Sequence, residues 1–183
     1  MTRDEAYQLM LGKVQNQNLR KHILAVEAVM RRLAEHFGED PDRWGLAGLL
    51  HDIDYESTKD DPDRHSMEGA DMLAGMGVEP EIVEAVRTHN ERHGIPRTTK
   101  MAKALFACDP LTGLIVAAAL IRPEKKLAIV DAAFIMNRFG EKGFARGANR
   151  ETIKHCSELD LLLDEFVGLG LEAMKGISGE LGL

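Results

Sequence analysis

Apolar residues recur along most of this chain at intervals of three and four positions, the spacing of one face of an α-helix. Leu19, Ile23, Val26, Met30 and Leu33 keep that rhythm, with Asn16 or Asn18 as a cap ahead of them and Gly38 as a stop after Phe37. A shorter leading helix is expected over residues 4–13, with Tyr7, Met10 and Leu11 inward. Pro41 precedes a helix over about residues 42–53 that carries Trp44, Leu46, Leu49 and Leu50. The polar stretch 56–63, which contains Pro62, reads as a loop. Asp63 then caps a helix in which His65, Gly69, Met72 and Met76 share a face, and Gly69 leaves room for a close approach. Gly77 interrupts, and Pro80 opens the next helix, with Ile82, Val86, His89 and His93 in one stripe.

Gly94-Ile95-Pro96 ends that helix, and Thr98 or Thr99 opens another with Met101, Ala102 and Leu105 inward, leading to Asp109. Pro110 predicts a break or kink, followed by a separate, central helix over the apolar residues 111–121. Leu127, Val130, Phe134 and Ile135 predict one more helix, residues 138–150 a basic loop with three glycines, and 160–175 a final helix. No period-two alternation of the kind a strand needs is found. The expected class is all-α: a single-domain helical bundle over residues 1–183, with a core at 18–120 and a helical extension at 121–183 that carries the basic loop.

Composition narrows the function classes. With 30 acidic against 23 basic residues, a net charge of −7, the chain is not expected to bind nucleic acid in general. No apolar run approaches the roughly 20 residues that span a bilayer, so no membrane partner is expected. Met1-Thr2-Arg3-Asp4-Glu5 lacks the basic start and apolar middle of a signal peptide. Cys108 and Cys156 show no CxxC spacing, which suits reduced thiols in a cytoplasm.

Within this helical frame one stretch stands out, Gly48-Leu49-Leu50-His51-Asp52-Ile53-Asp54-Tyr55-Glu56. Neighbours on a helix point about 100° apart, so His51 and Asp52 share a target only if it lies between them, as a metal ion could. His22, His65, His89 and Asp109 also fall near helix ends or on inward faces. Imidazole and carboxylate are costly to bury without partners, so several that converge imply pairing or a metal.

The order His22, His51-Asp52, His65, His89, Asp109 resembles that of the HD superfamily of metal-dependent phosphohydrolases. Residues 18–120 carry the likeness, in Leu49-Leu50-His51-Asp52-Ile53, His65-Ser66-Met67-Glu68-Gly69-Ala70, Ala85-Val86-Arg87-Thr88-His89 and Ala107-Cys108-Asp109-Pro110-Leu111-Thr112. The resemblance implies a helical bundle of the HD-domain type, with His51 and Asp52 at its catalytic centre. It also implies one metal held by His22, His51, Asp52 and Asp109, and a second held by His65 and His89 with Asp52 bridging. Six donors with a bridging carboxylate are too many for one tetrahedral zinc and suit two ions with open positions. The imidazole-rich set favours Fe, Mn, Co, Ni or Zn over Mg. One departure is local: many small members continue the His-Asp pair with Ile-Gly, whereas this chain has Ile53-Asp54. Asp54, Tyr55 and Glu56 therefore bring extra acidic and phenolic groups to the mouth of the site.

The activity implied is hydrolysis of a phosphate monoester or diester, with a small phosphorylated partner such as a nucleotide and a metal-activated water. Two other readings share the ligand set: a mixed-valent di-iron oxygenase of the same fold, and a non-catalytic nucleotide- or metal-binding sensor. Arg122, Lys125 and Lys126 are candidate anion contacts, and so are Asn90, Lys142, Arg146 and Arg150, of which an Arg fork suits phosphate best. His93 is read as exposed or as supporting His89, His36 and His155 as surface or structural, and Cys108 as packing.

Overall fold

Asn16 caps α2 (Gln17–Phe37), its side-chain oxygen accepting from the amides of Asn18 and Leu19, and Gly38 closes the helix at φ 69°. The computed structural model describes residues 1–141 and 143–183. Around α2 the chain runs α1 (Arg3–Lys13), α3 (Pro41–Leu50), α4 (Tyr55–Thr58), α5 (Met67–Gly75), α6 (Pro80–Thr88) and α7 (Lys100–Leu120). It continues through α8 (Ala132–Phe139), α9 (Arg150–Lys154), α10 (Leu163–Gly176) and α11 (Ser178–Leu181). Single turns of 3-10 helix lie at Glu91–His93, Leu127–Ile129 and His155–Leu159. No strand occurs among the described residues, so the fold is all-α.

Helices α2 and α7 form the centre. The α2 stripe predicted from sequence is buried at Ile23, Val26, Met30 and Leu33, and α3, α7 and α10 pack on it. Helix α7 lies among α2, α6, α8, α9 and α10 and buries Met101, Leu105, Phe106, Leu111, Leu114 and Ile115. Together these apolar side chains supply the main favourable term of folding. Helices α2 and α3 approach closely at Gly48, where a Cβ would stand 2.8 Å from the Glu27 Cα. That contact fixes the end of α3, and His51 follows three residues later. Buried Glu27 on the same crossing is held by the Arg3 fork at 2.5 and 2.9 Å.

Three local expectations are corrected. Helix α7 runs unbroken through Pro110, so 111–121 is no separate helix. Its length of 21 residues and apolar composition would let it cross a membrane, but 61% of its most apolar window is buried inside the protein, which makes it the core helix. Residues 55–58 form the short helix α4 rather than loop. Asp63 does not cap α5: it pairs with Arg92, and α5 starts at Met67 behind Ser66, whose φ is 70°. A positive φ at a serine costs free energy, and the burial of Ser66 together with its hydroxyl bond to the Arg87 carbonyl holds it there.

Candidate metal centre

Each of the six donors is delivered by a helix end or by the inward face of α2 or α7. His22 comes from the first turns of α2, and His51 and Asp52 from the turn that ends α3. His65 comes from the turn before α5, His89 from the C-terminus of α6, and Asp109 from the middle of α7. Their reactive atoms converge on Asp52. Its Oδ2 lies 3.7 Å from His22 Nε2 and 3.4 Å from His51 Nε2. Its Oδ1 lies 3.4 Å from His65 Nε2 and 3.5 Å from His89 Nε2. Asp109 Oδ1 stands 3.0 Å from His22 Nε2. The two oxygens of one carboxylate thus face two different pairs of imidazoles. Two overlapping triads, His22–His51–Asp109 and His51–Asp52–His89, have donor atoms within 4.8 Å of one another.

The far side of every ring is anchored. His51 Nδ1–H donates to the Gly48 carbonyl at 2.8 Å, and His89 Nδ1–H to the Val86 carbonyl at 2.6 Å. The Thr112 hydroxyl donates to the Asp109 carbonyl and so accepts from His22 Nδ1–H at 3.1 Å. His65 Nδ1–H donates to Asp54 Oδ1 at 2.9 Å. A carbonyl or carboxylate can only accept, so each Nδ1 carries a proton and each Nε2 is the nitrogen left to take a metal ion or a second proton. Among the described residues, the buried Nε2 atoms of His51 and His89 have no hydrogen-bond partner. A buried nitrogen without a partner is unfavourable unless something binds it, and four imidazole nitrogens with two carboxylates are the donor chemistry of a divalent transition metal.

Electrostatics point the same way. Burial alone would raise the Asp52 carboxyl, yet His51, His89 and His22 hold it well below the usual carboxylate range. Asp109 is likewise lowered against its burial, by His22 and His51. Burial pulls His51 down, but Asp52 and Asp109 outweigh it and raise the imidazole to about 9. The cluster calls for positive charge, supplied by protons or by metal.

Asp54, the residue that departs from Ile-Gly, is the part of the site whose role the sequence left open. Its side chain is fully buried; Oδ1 accepts from His65 and Oδ2 from the Gly69 amide at 2.7 Å. Gly69 is small for this reason: a Cβ there would lie 3.1 Å from the Asp54 carboxylate. His65 is therefore the one of the four rings backed by an anion. A buried Asp two residues after His-Asp, with a Gly fifteen residues later, is a signal that sequence could have offered.

The expected substrate contacts are placed differently. Asn90 donates to the Pro62 and His65 carbonyls at 3.3 Å each, and His93 Nε2 donates to the His65 carbonyl at 2.8 Å. Both fasten the turn that holds His65. Arg150 is turned into its own loop, donating to the carbonyls of Ala145 at 2.8 Å, Ala148 and Phe144 at 2.6 Å each, and Phe139 at 3.4 Å. Its guanidinium is spent on the carbonyls of its own loop, which is why it does not extend toward the centre. Exposed Arg146 lines a separate hollow with Phe139, Phe144 and Lys154. Lys142 lies outside the described residues. The loop does touch the centre, but through Ala145, Gly147 and Ala148, beside His22 and Asp109. Cys108 is buried and packs, as read from sequence. His36 stands beside Glu165 and His155 against Glu158, both partly exposed.

A cleft of about 730 Å³ opens over the centre, lined by Asn16, Asn18, Leu19, His22, Asp52, Tyr55, Glu56, Lys59, His65 and Asp109. Glu56 ties its floor together, accepting from the amides of Gln15 at 2.9 Å and Asn16 at 2.6 Å.

Comparison with known proteins agrees with this geometry. Residues 19–139 match the HD domain family. Ribonuclease Y of Lawsonia intracellularis is 32% identical over 116 residues, 63% of this chain and 21% of that protein. Ribonuclease Y of Oleidesulfovibrio alaskensis is 32% identical over 98 residues, 54% of this chain and 18% of its own length. The chain thus spans about a fifth of the curated relatives it matches. The family match runs past residue 120 into α8, farther than the six donors alone would mark.

Proposed function

The chain belongs to the HD domain family, and from that premise we propose that it is a metal-dependent hydrolase of phosphate esters. The observation that carries the reading is the split of Asp52, one oxygen toward His22 and His51 and the other toward His65 and His89. His22, His51, Asp52 and Asp109 would hold one ion, and His65, His89 and Asp52 a second. Bound there, Fe, Mn, Co, Ni or Zn would supply Lewis-acid activation of water and of phosphoryl oxygens. The protein's own contribution is positional. Nδ1 anchors fix four rings with Nε2 inward, so that little reorganisation remains when the donors are used. Asp54 fixes the orientation of His65 through Nδ1, and the half-buried Asp109 leaves the His22 side open to the cleft. Two relatives named Ribonuclease Y support a phosphodiester as one candidate bond, alongside a monoester.

The test is metal analysis of protein purified without chelator, followed by a phosphate-ester panel. Ester cleavage that depends on the metal supports the reading. Oxygen consumption without ester cleavage would assign the centre to an oxygenase, and tight nucleotide binding without turnover to a sensor.

A further inference from the structure

We infer that the substrate is a small ester with a single phosphate group beside a flat ring, held by Lys59 and Tyr55 over the centre. The inference rests on the hydrolase reading above and adds what that reading lacks, the groups that choose the ester.

Most polar residues around the cleft are committed to the fold. Asn16 caps α2, Glu56 accepts from two backbone amides, and His22 and His65 are fixed through Nδ1. Among the described lining residues this leaves the Lys59 ammonium, the Tyr55 hydroxyl and the Asn18 carboxamide able to meet a ligand. Tyr55 and Lys59 are four residues apart, and Lys59 continues α4 with helical backbone angles, so both project from one side of that short helix. Tyr55 is 45% exposed, and its ring meets His65 edge-on at 5.2 Å, which places a free aromatic face at the rim beside one of the donors.

Charge sets the size of the anion. Lys59 is the one lysine or arginine among the lining residues, against Asp52, Glu56 and Asp109. Two dications and one ammonium over three carboxylates leave enough positive charge for one phosphate group and too little for a polyphosphate. A long nucleic acid needs a row of cations along its backbone, and a chain of net charge −7 with one cation in its cleft does not provide that row. The flat ring follows from Tyr55: an exposed phenol face beside a phosphate site is the arrangement that stacks a base or aryl group. A cleft of about 730 Å³ suits a ligand of mononucleotide size.

The experiment compares the wild-type full chain, loaded with metal, with Lys59→Met, Tyr55→Leu and Tyr55→Phe, each checked for unchanged metal content. Turnover is measured with AMP, glycerol phosphate and a short oligoribonucleotide; binding of inorganic phosphate and of adenosine is measured separately by calorimetry. Lys59→Met is expected to lower kcat/KM about tenfold on both small esters and to weaken phosphate binding about tenfold, the scale of a lost charge-assisted contact. Tyr55→Leu is expected to lower kcat/KM about tenfold for AMP alone and to weaken adenosine binding, and Tyr55→Phe to restore both. Unchanged kinetics and phosphate binding in Lys59→Met, an equal loss on both esters in Tyr55→Leu, or an oligoribonucleotide cleaved better than AMP would each overturn the inference. If the wild type cleaves no ester, the hydrolase reading falls, and the phosphate and adenosine titrations still decide whether Lys59 and Tyr55 hold those groups.

Discussion

Asp54→Asn removes a charge and almost no volume, so it isolates what the buried carboxylate does for His65. In the native site one oxygen accepts from His65 Nδ1–H at 2.9 Å and the other from the Gly69 amide at 2.7 Å. A carboxamide has one accepting oxygen. If that oxygen keeps Gly69, the NH2 group faces His65 Nδ1 and drives the proton to Nε2, where the lone pair is needed. If the oxygen keeps His65, the NH2 group confronts the Gly69 amide, and two buried donors are left without acceptors. Either arrangement loses one charge-assisted bond, about 1.5–3 kcal/mol. At about 1.4 kcal/mol per decade this is roughly 10- to 150-fold, close to the 10- to 100-fold typical of residues that orient a metal ligand. Titration of chelator-stripped protein with Mn²⁺, followed by calorimetry, should show the weaker of two binding events fall by that factor while the stronger one moves little. Thermal unfolding of the metal-free variant should drop by about 3–12 °C, at about 2–4 °C per kcal/mol for a chain of this length. Two unchanged binding events with an unchanged melting temperature would refute the reasoning.

Other expectations follow from the same geometry. Gly69→Ala should push the Asp54 carboxylate off its two donors, because the new methyl would sit 3.1 Å from it. A loss of about 1–3 kcal/mol by denaturant titration is expected, and no loss would show that the turn gives way freely. Arg150→Met should act on the loop rather than on turnover, lowering the melting temperature by several degrees while Arg146→Met, at an exposed side chain, leaves it nearly unchanged. For pH, His51 is raised from 6.5 to about 9, so its stabilising protonation in the metal-free protein is complete below 6.5 and is lost as pH rises through about 9. Asp52 and Asp109 are lowered from 3.8, so their contribution is present above that value and is lost on acidification. Metal-free melting temperature should therefore decline between pH 6.5 and 9, with added metal opposing the decline. A flat profile would show that His51 carries no such proton. His65→Ala should leave about one ion per chain and abolish turnover, and two retained ions would show His65 to be no ligand.

Helices with strong periodicity and clear caps were legible in the chain itself. The Leu19–Leu33 stripe, the Asn16 and Gly38 stops, Pro80 at the head of α6 and Thr99 at the head of α7 are local signals, and the structure uses each of them. Pro110 misleads because the cost of a proline in a helix, about 3 kcal/mol, is outweighed by packing that no short window contains. The residues after it, among them Leu111, Leu114 and Ile115, are buried, and Leu111 and Ile115 pack on α10 at Gly170. The six candidate ligands were legible as an order of residue types along helix ends, and the structure gathers the four imidazoles around Asp52, with Asp109 beside His22. The direction of long cationic side chains was not: Arg150 folds back because several carbonyls of its own turn lie within reach, a fact of tertiary geometry. Asp54 escaped a role because its function depends on Gly69, on another element, coming close enough to share it.

The proposal that Asp52 bridges two ions is tested most directly by counting metal in the Asp52→Asn protein beside the wild type, both purified without chelator. Asn keeps the shape but gives up the anion that faces four imidazoles. A wild-type ratio near two ions per chain that falls to well below one in the variant is the result expected from a carboxylate shared by both ions. A variant that retains the wild-type ratio would contradict the two-metal centre.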